Sequence, residues 1–216
     1  MTIRVLLADD HGIVRAGLRA LLETQPELTV VGEAATGRLA VDEALRLRPD
    51  VVVLDIAMPE LNGVEATRQI HAALPKIAII ILSMHSTHEH IYQAFRAGAR
   101  GYVLKEAAGN ELIAGISAVN GGRYYLSAKI ANSMNDLLIN QPGAATPNPL
   151  DQLTEREREI LQLVVAGKSS IEIGGLIALS PKTVDSYRSR LMQKLGIKDL
   201  PTLVKFALQQ GLTTLE

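Results

Sequence analysis

Three carboxylates in this sequence follow directly on runs of apolar residues. Ile3-Arg4-Val5-Leu6-Leu7-Ala8 leads into Asp9-Asp10, and Val51-Val52-Val53-Leu54 leads into Asp55. A hydroxyl and an ammonium hold the same kind of position: Ile77-Ala78-Ile79-Ile80-Ile81-Leu82 ends on Ser83, and Tyr102-Val103-Leu104 on Lys105. Unbroken β-branched and aliphatic runs read as strands covered on both faces. Parallel strands present their carboxyl ends on one side of a sheet, which is where open α/β folds bind ligands. Any one of the five polar residues is explained by a strand end reaching water. The set is not: three acids at one edge repel and raise one another's pKa unless a hard cation lies among them. Three acids, a hydroxyl and an ammonium together suit a phosphoryl group. Mg2+ is the natural cation, satisfied by one or two carboxylates, a carbonyl and several waters.

The elements that position these residues alternate along the chain. Positions 11–24 place Val14, Leu18, Leu21 and Leu22 at helical spacing, and 36–47 place Leu39, Ala40, Ala44 and Leu47 on an inner face. Further helices are expected at 62–73, 87–97 and 110–119, and a short strand at 29–34. Five strands alternating with five helices predict an α/β doubly wound (βα)5 parallel sheet. Met58-Pro59 and Asn62-Gly63 shape the loop beyond Asp55, with Met58 as loop packing. His85, His88 and His90 lie near the site, but zinc needs an i, i+4 pair and a third ligand, so they read as a solvated loop and helix start. His11, beside the acidic pair, either tunes the site or faces water.

At 216 residues and 47% hydrophobic content the chain is long enough for two packed domains. A net charge of −1 does not announce a nucleic-acid binder, and the lack of cysteine excludes disulfides and thiolate metal sites. No run of about 18 apolar residues appears, and Met1-Thr2-Ile3-Arg4 leads into a strand rather than a signal peptide, so a soluble cytoplasmic protein without membrane contact is expected. After Gly121-Gly122 an amphipathic helix is expected over 127–139, with Ile130, Met134, Leu137 and Leu138, and then an uncharged segment with three prolines over 140–149. That composition reads as a linker. The expected division is 1–125, then a linker helix and Pro-rich linker over 126–150, then 151–216.

Positions 151–216 carry no strand pattern and predict an all-α domain. Thr154 with Glu157 three residues on reads as a capping box ahead of Ile160, Leu161, Val164 and Val165. A short helix follows from Ser169 or Ser170, and Ser180-Pro181 opens the next. In that helix, 181–195, Val184, Tyr187 or Arg188, Leu191 and Leu195 face inward, leaving Lys182, Asp185, Ser186, Ser189, Arg190 and Gln193 outside. It holds Lys182, Arg188, Arg190 and Lys194 against Asp185 alone. A basic helix after a short helix and a tight turn is the arrangement that enters the DNA major groove, and cationic, hydroxyl and amide groups are those that bond phosphates and base edges.

With these residues in view, positions 1 to about 125 resemble a response-regulator receiver domain. Leu-Thr-Glu-Arg-Glu-Arg-Glu-Ile-Leu, Ser-Pro-Lys-Thr-Val and Lys-Leu-Gly-Ile resemble the LuxR-type helix-turn-helix. Together they are similar to the NarL/FixJ branch of bacterial two-component response regulators. The resemblance implies Asp55 as phosphoacceptor, a Mg2+ held by Asp9, Asp10, Asp55 and Ala57, Lys105 and Ser83 as the groups meeting the phosphoryl oxygens, and Ser83 with Tyr102 as the switch. It implies base contacts from Asp185, Ser186 and Ser189, and backbone contacts from Lys182, Thr183, Tyr187, Arg188 and Lys194, with Ser180 and Arg190 on the same face. A sensor histidine kinase, double-stranded promoter DNA, a second copy on activation and RNA polymerase are the implied partners. Departures are Glu106 where many receivers have proline, Ile171 where a polar residue is common, and Gly174-Gly175 where alanine and a larger residue are usual. Adjacent glycines cost about 1 kcal/mol each in a helix, which predicts a looser second helix. Two other classes stay open: a Mg2+-dependent phosphatase similar to haloacid-dehalogenase-like folds, which would need an acid where Ala57 stands, and a degenerate receiver serving only for dimerisation or ligand binding.

Overall fold

A computed structural model of the chain describes residues 2–132 and 149–209, and the chain divides into two compact units, Met1–Pro142 and Gly143–Glu216. In the first, strands β1 (Ile3–Ala8), β2 (Leu28–Ala34), β3 (Val51–Asp55), β4 (Ala78–Ser83), β5 (Gly101–Leu104) and β6 (Tyr125–Leu126) form one sheet. All pairings are parallel and the order is β2-β1-β3-β4-β5-β6. Helices α1 (Gly12–Glu23), α2 (Gly37–Leu47), α3 (Gly63–Ala73), α4 (His88–Ala97) and α5 (Ala108–Asn120) connect the strands.

The period of two along each strand sends alternate residues to opposite faces. Leu6, Val52, Leu54, Ile79, Ile81, Tyr102 and Leu104 pack on one side with residues of α2, α3 and α4. Val5, Leu7, Val51, Val53, Ile80, Leu82 and Val103 pack on the other with residues of α1 and α5. Two cores around one sheet are the doubly wound arrangement that the apolar runs predict.

Register then fixes the functional edge. Ala8 pairs with Leu54, so Asp9 emerges beside Asp55; Asp55 pairs with Leu82, and Ser83 with Leu104, so Ser83 and Lys105 each stand one step further on. Behind Asp55 the chain turns within seven residues into α3. Gly63 makes that possible: a Cβ there would lie 2.0 Å from the Asp55 carbonyl oxygen.

Two expectations need correction. The sheet has a sixth strand, Tyr125–Leu126, where sequence reading ends the pattern; its two residues pair with Gly101 and Tyr102 and are too short for a period-two signal. Leu39 is 41% exposed rather than inward, because Ala40 and Ala44 set the buried face of α2 and Val41 and Leu47 flank it. The helix expected over 127–139 begins, with 128–132 helical; its residues Met134, Leu137 and Leu138 and the Pro-rich segment up to 148 lie outside the described residues.

Among the described residues the second unit holds four α-helices, α6 (Glu155–Val165), α7 (Ser170–Ile177), α8 (Pro181–Leu195) and α9 (Leu200–Gln209). Ile160, Leu161, Val164, Ile173, Ile177, Val184, Leu191 and Leu203 form its core. Capping boxes open both α6 (Thr154 with Glu157) and α7 (Ser169 with Glu172). Between its caps α7 runs two turns and closes on Ala178 in the left-handed region. Gly174 is buried within it, where a Cβ would stand 2.5 Å from the Leu179 carbonyl oxygen, whereas a Cβ at Gly175 meets nothing. Gly175→Ala is expected to stabilise the unit by about 0.5–1 kcal/mol, read as a raised melting temperature.

Candidate functional site

Asp55 ends β3 with 3% of its surface exposed and Asp9 follows β1 with 1%. Lys105, the first residue of a 3-10 turn after β5, places Nζ 2.8 Å from Asp9 Oδ2 and 2.8 Å from Asp55 Oδ2. Burial raises the Asp55 carboxyl above its ordinary value; Lys105 opposes this and Asp9 adds to it. Burial alone would lower Lys105, but hydrogen bonding to Asp55 and Asp9 outweighs it and holds the ammonium above its usual range. The charged forms of these groups therefore depend on one another.

Asp9 Oδ1 accepts the His11 backbone N–H at 2.8 Å, and Asp10 stands exposed at the mouth of the site. Donor atoms of Asp9, Asp10, His11 and Asp55 all lie within 4.8 Å of one another. The Oδ2 atoms of Asp9 and Asp55 are buried without an aligned hydrogen bond, beside the Lys105 ammonium. Three carboxylates whose donor atoms lie this close together are the donor set of a hard divalent cation, so the residues fit Mg2+. Ala57 lies exposed in the loop beyond, its N–H bonded to the Asp55 carboxylate.

Ser83 and Tyr102 converge on one residue. Ser83, 1% exposed, accepts the His85 N–H on Oγ at 3.0 Å, and the Tyr102 hydroxyl donates to the His85 carbonyl oxygen at 2.8 Å. Tyr102 is fully buried, which pushes its phenol up to about 12. The histidines here are not uniformly solvated as expected. His88 is exposed, but the rings of His85 and His90 stack with centroids 4.7 Å apart, and burial followed by the His85 charge lowers His90 to about 4. Glu106, in place of the proline of many receivers, pairs with Lys129 at 2.7 Å, while Ser127 bonds both Leu104 N–H and Glu111. These contacts tie the loop after Lys105 to the helix that starts at 128.

On α8, Ser180 caps the helix by accepting the Thr183 N–H at 3.1 Å, and the two hydroxyls share a 2.7 Å bond. Lys182, Asp185, Ser186, Ser189, Arg190 and Gln193 are exposed, Val184 and Leu191 buried, and Tyr187 and Arg188 half-buried. Ser186 returns its hydroxyl to the Lys182 carbonyl, and Arg190 lies 5.0 Å over the Tyr187 ring. Lys194 and Asp185, both of the expected contact set, are tied to other helices of the domain. Lys194 donates to Glu157 at 2.6 Å and to the Gln152 carbonyl at 3.2 Å, locking α8 to α6. Asp185 accepts from Ser170 at 2.5 Å, joining α8 to α7. Although burial raises the Glu157 carboxyl, hydrogen bonds from Lys194 and Thr154 outweigh it and hold the group below its usual range. Sequence reading missed these clasps because the partners are 37 and 15 residues apart.

A doubly wound sheet with this acid, hydroxyl and lysine edge, followed by a capped helix-turn-helix, defines a response regulator. Family models agree: "Response regulator receiver domain" matches residues 5–117 and "Bacterial regulatory proteins, luxR family" matches 151–207, so the chain belongs to the LuxR-type two-component response regulators, which are transcription regulators rather than enzymes. It is 35% identical over 212 residues to the transcriptional regulatory protein MctR of Rhizobium johnstonii, covering 98% of this chain and 96% of that one. It is 36% identical over 214 residues to the oxygen regulatory protein NreC of Staphylococcus aureus, covering 97% and 99%. Among solved structures, RcsB of Salmonella enterica serovar Typhimurium, bound to a promoter in the presence of a phosphomimetic, matches at TM-score 0.59 and 25% identity over 95% of this chain and 98% of that one. Among the described residues no helix is long and apolar enough to cross a membrane.

Proposed function

We propose that this chain is a cytoplasmic regulator in which phosphorylation of Asp55 by a sensor histidine kinase controls dimerisation and promoter binding. The observation that carries the reading is the Lys105 ammonium 2.8 Å from both buried carboxylates, Asp9 and Asp55. An Asp55 carboxylate oxygen attacks phosphorus as the bond to the kinase imidazole nitrogen breaks. Phosphoryl transfer needs mainly positioning and charge neutralisation. Asp9, Asp10, Asp55 and the Ala57 carbonyl would hold a bound Mg2+, which would supply that neutralisation. Lys105 leaves its ion pair with Asp55 for one of those oxygens. Ser83 turns to another and releases the His85 N–H, which frees the backbone that Tyr102 holds from its other side. The two switch residues are thus coupled through one residue, His85. With Ala57 where a phosphatase would place its acid, the aspartyl phosphate lasts long enough to signal.

In this reading residues 1–125 sense, 126–150 connect and 151–216 bind DNA, with half-sites roughly one helical turn, about 10 bp, apart or a small multiple of it. RNA polymerase is the partner downstream. Ser186, Ser189 and Arg190 are the groups of α8 that serve base edges, Ser186 once its hydroxyl leaves the Lys182 carbonyl, with Asp185 available once it leaves Ser170; Lys182 and Arg188 serve the phosphates, helped by Ser180, Thr183 and Tyr187. Lys182→Ala is expected to lower the slope of log affinity against log salt by about 1. Lys194→Ala is expected to leave that slope unchanged and lower the melting temperature, because its charge is spent on Glu157. Salt titration of operator binding, beside thermal melts, checks both. The function itself is tested by gel shift of promoter fragments at fixed salt, with and without acetyl phosphate and Mg2+. Tighter binding with the phosphodonor is expected, and unchanged binding overturns the switch.

A further inference from the structure

His11 stands beside the acidic cluster with its imidazole uncommitted to the helix that follows. It is the N-cap of α1, with φ −81° and ψ 105°, yet its side chain makes no capping bond. Its backbone N–H donates to Asp9 Oδ1 at 2.8 Å, which folds residue 11 back over the end of β1. Nδ1 then lies 2.7 Å from Asp10 Oδ1 and 3.3 Å from Asp9 Oδ1. Lys105 sits on the other side, against Asp9 Oδ2 and Asp55 Oδ2, so the imidazole and the ammonium do not compete for one edge.

Donors at neighbouring corners of an octahedron whose bonds are 2.0–2.1 Å long stand about 3.0 Å apart. The two Nδ1 distances bracket that separation. Mg2+ takes oxygen donors and gains little from an imidazole, whereas Mn2+, Co2+ and Ni2+ accept mixed carboxylate and imidazole sets with affinity rising in that order. We propose that His11 is a direct ligand for a divalent transition metal at this site, so that the site discriminates in favour of such ions over Mg2+. This rests on the reading of the cluster as a cation site and adds the nitrogen donor that gives the site its preference. The residue is 64% exposed at the side chain, so it can swing onto a bound ion and its removal leaves no cavity.

The test uses the full chain with Mn2+ as the probe. Pulsed electron paramagnetic resonance of the bound ion is expected to show an imidazole nitrogen coupling that is absent in His11→Ala. In competition titrations that follow the signal of free Mn2+, His11→Ala is expected to lose about tenfold in Mn2+ affinity and to change Mg2+ affinity by less than about twofold. Mn2+ bound without nitrogen coupling in the unmodified chain overturns the assignment of His11 and leaves the cation site standing. Equal loss of both ions in the variant also overturns it, since His11 then acts on the carboxylates and not on the choice of metal. No Mn2+ binding at all overturns the cation site and the inference with it.

Discussion

Asp55→Asn is expected to remove the whole phosphodonor response of DNA binding while leaving the basal affinity in place. Coupling between two sites in one protein is typically 1–3 kcal/mol, so the unmodified chain should gain about 5- to 150-fold in promoter affinity on treatment with acetyl phosphate and Mg2+. The variant should gain nothing. Asparagine has the same shape but its amide oxygen is too weak a nucleophile to take the phosphoryl group. The substitution also removes a charge whose burial is costly, as the raised Asp55 carboxyl shows, and leaves Lys105 paired with Asp9. The fold of the receiver is therefore retained, and the second unit keeps its own core. Gel-shift titrations at fixed salt, on both proteins with and without the phosphodonor, measure the effect. A full gain in the variant would mean that some other residue accepts the phosphoryl group.

The reach of the sequence follows from what kind of interaction places each residue. Asp9, Asp55, Ser83 and Lys105 are legible because each terminates an apolar run, and parallel strands put such ends on one edge. What the runs do not contain is register: that Ala8 meets Leu54 and Ser83 meets Leu104 is settled by pairing between strands far apart in the chain. The same limit hid Tyr125–Leu126, whose strand character exists only against β5. In the second unit the caps and the inward residues Val184 and Leu191 are local and were readable. The partners of Lys194 and Asp185 are not, so a helix that reads as evenly basic gives one of its four cations to Glu157. The setting of Gly174-Gly175 was hidden for a related reason. Propensity prices a glycine by its own helix, whereas Gly174 is set against the Leu179 carbonyl in the turn beyond.

Leu191→Ala is expected to abolish DNA binding at every level of phosphorylation, although Leu191 touches no DNA in the proposed mode. Its side chain is fully buried in the core that includes Ile160, Leu161, Val184 and Leu203, on the opposite face of α8 from Ser186, Ser189 and Arg190. Truncating a buried leucine costs about 2–5 kcal/mol, because the cavity collapses only in part. A single core in a domain of this size supplies no more than about 3–5 kcal/mol in all. The two figures are comparable, so the variant domain should be largely unfolded near physiological temperature, and α8 with it. Thermal melts followed by circular dichroism should show one transition lost or moved down by well over ten degrees, about what that cost implies for a domain this small. The transition of the receiver should stay where it is. Ser189→Ala is the control: an exposed hydroxyl on the same helix, whose removal should leave the melt unchanged and reduce only affinity for the operator. If Leu191→Ala bound DNA weakly with its melt intact, Leu191 would belong to the contact face, and α8 would have to turn a different side to the core. The contrast separates two demands on one helix. Its buried side is held to a narrow choice of residue by packing, and its exposed side is free to change with the operator.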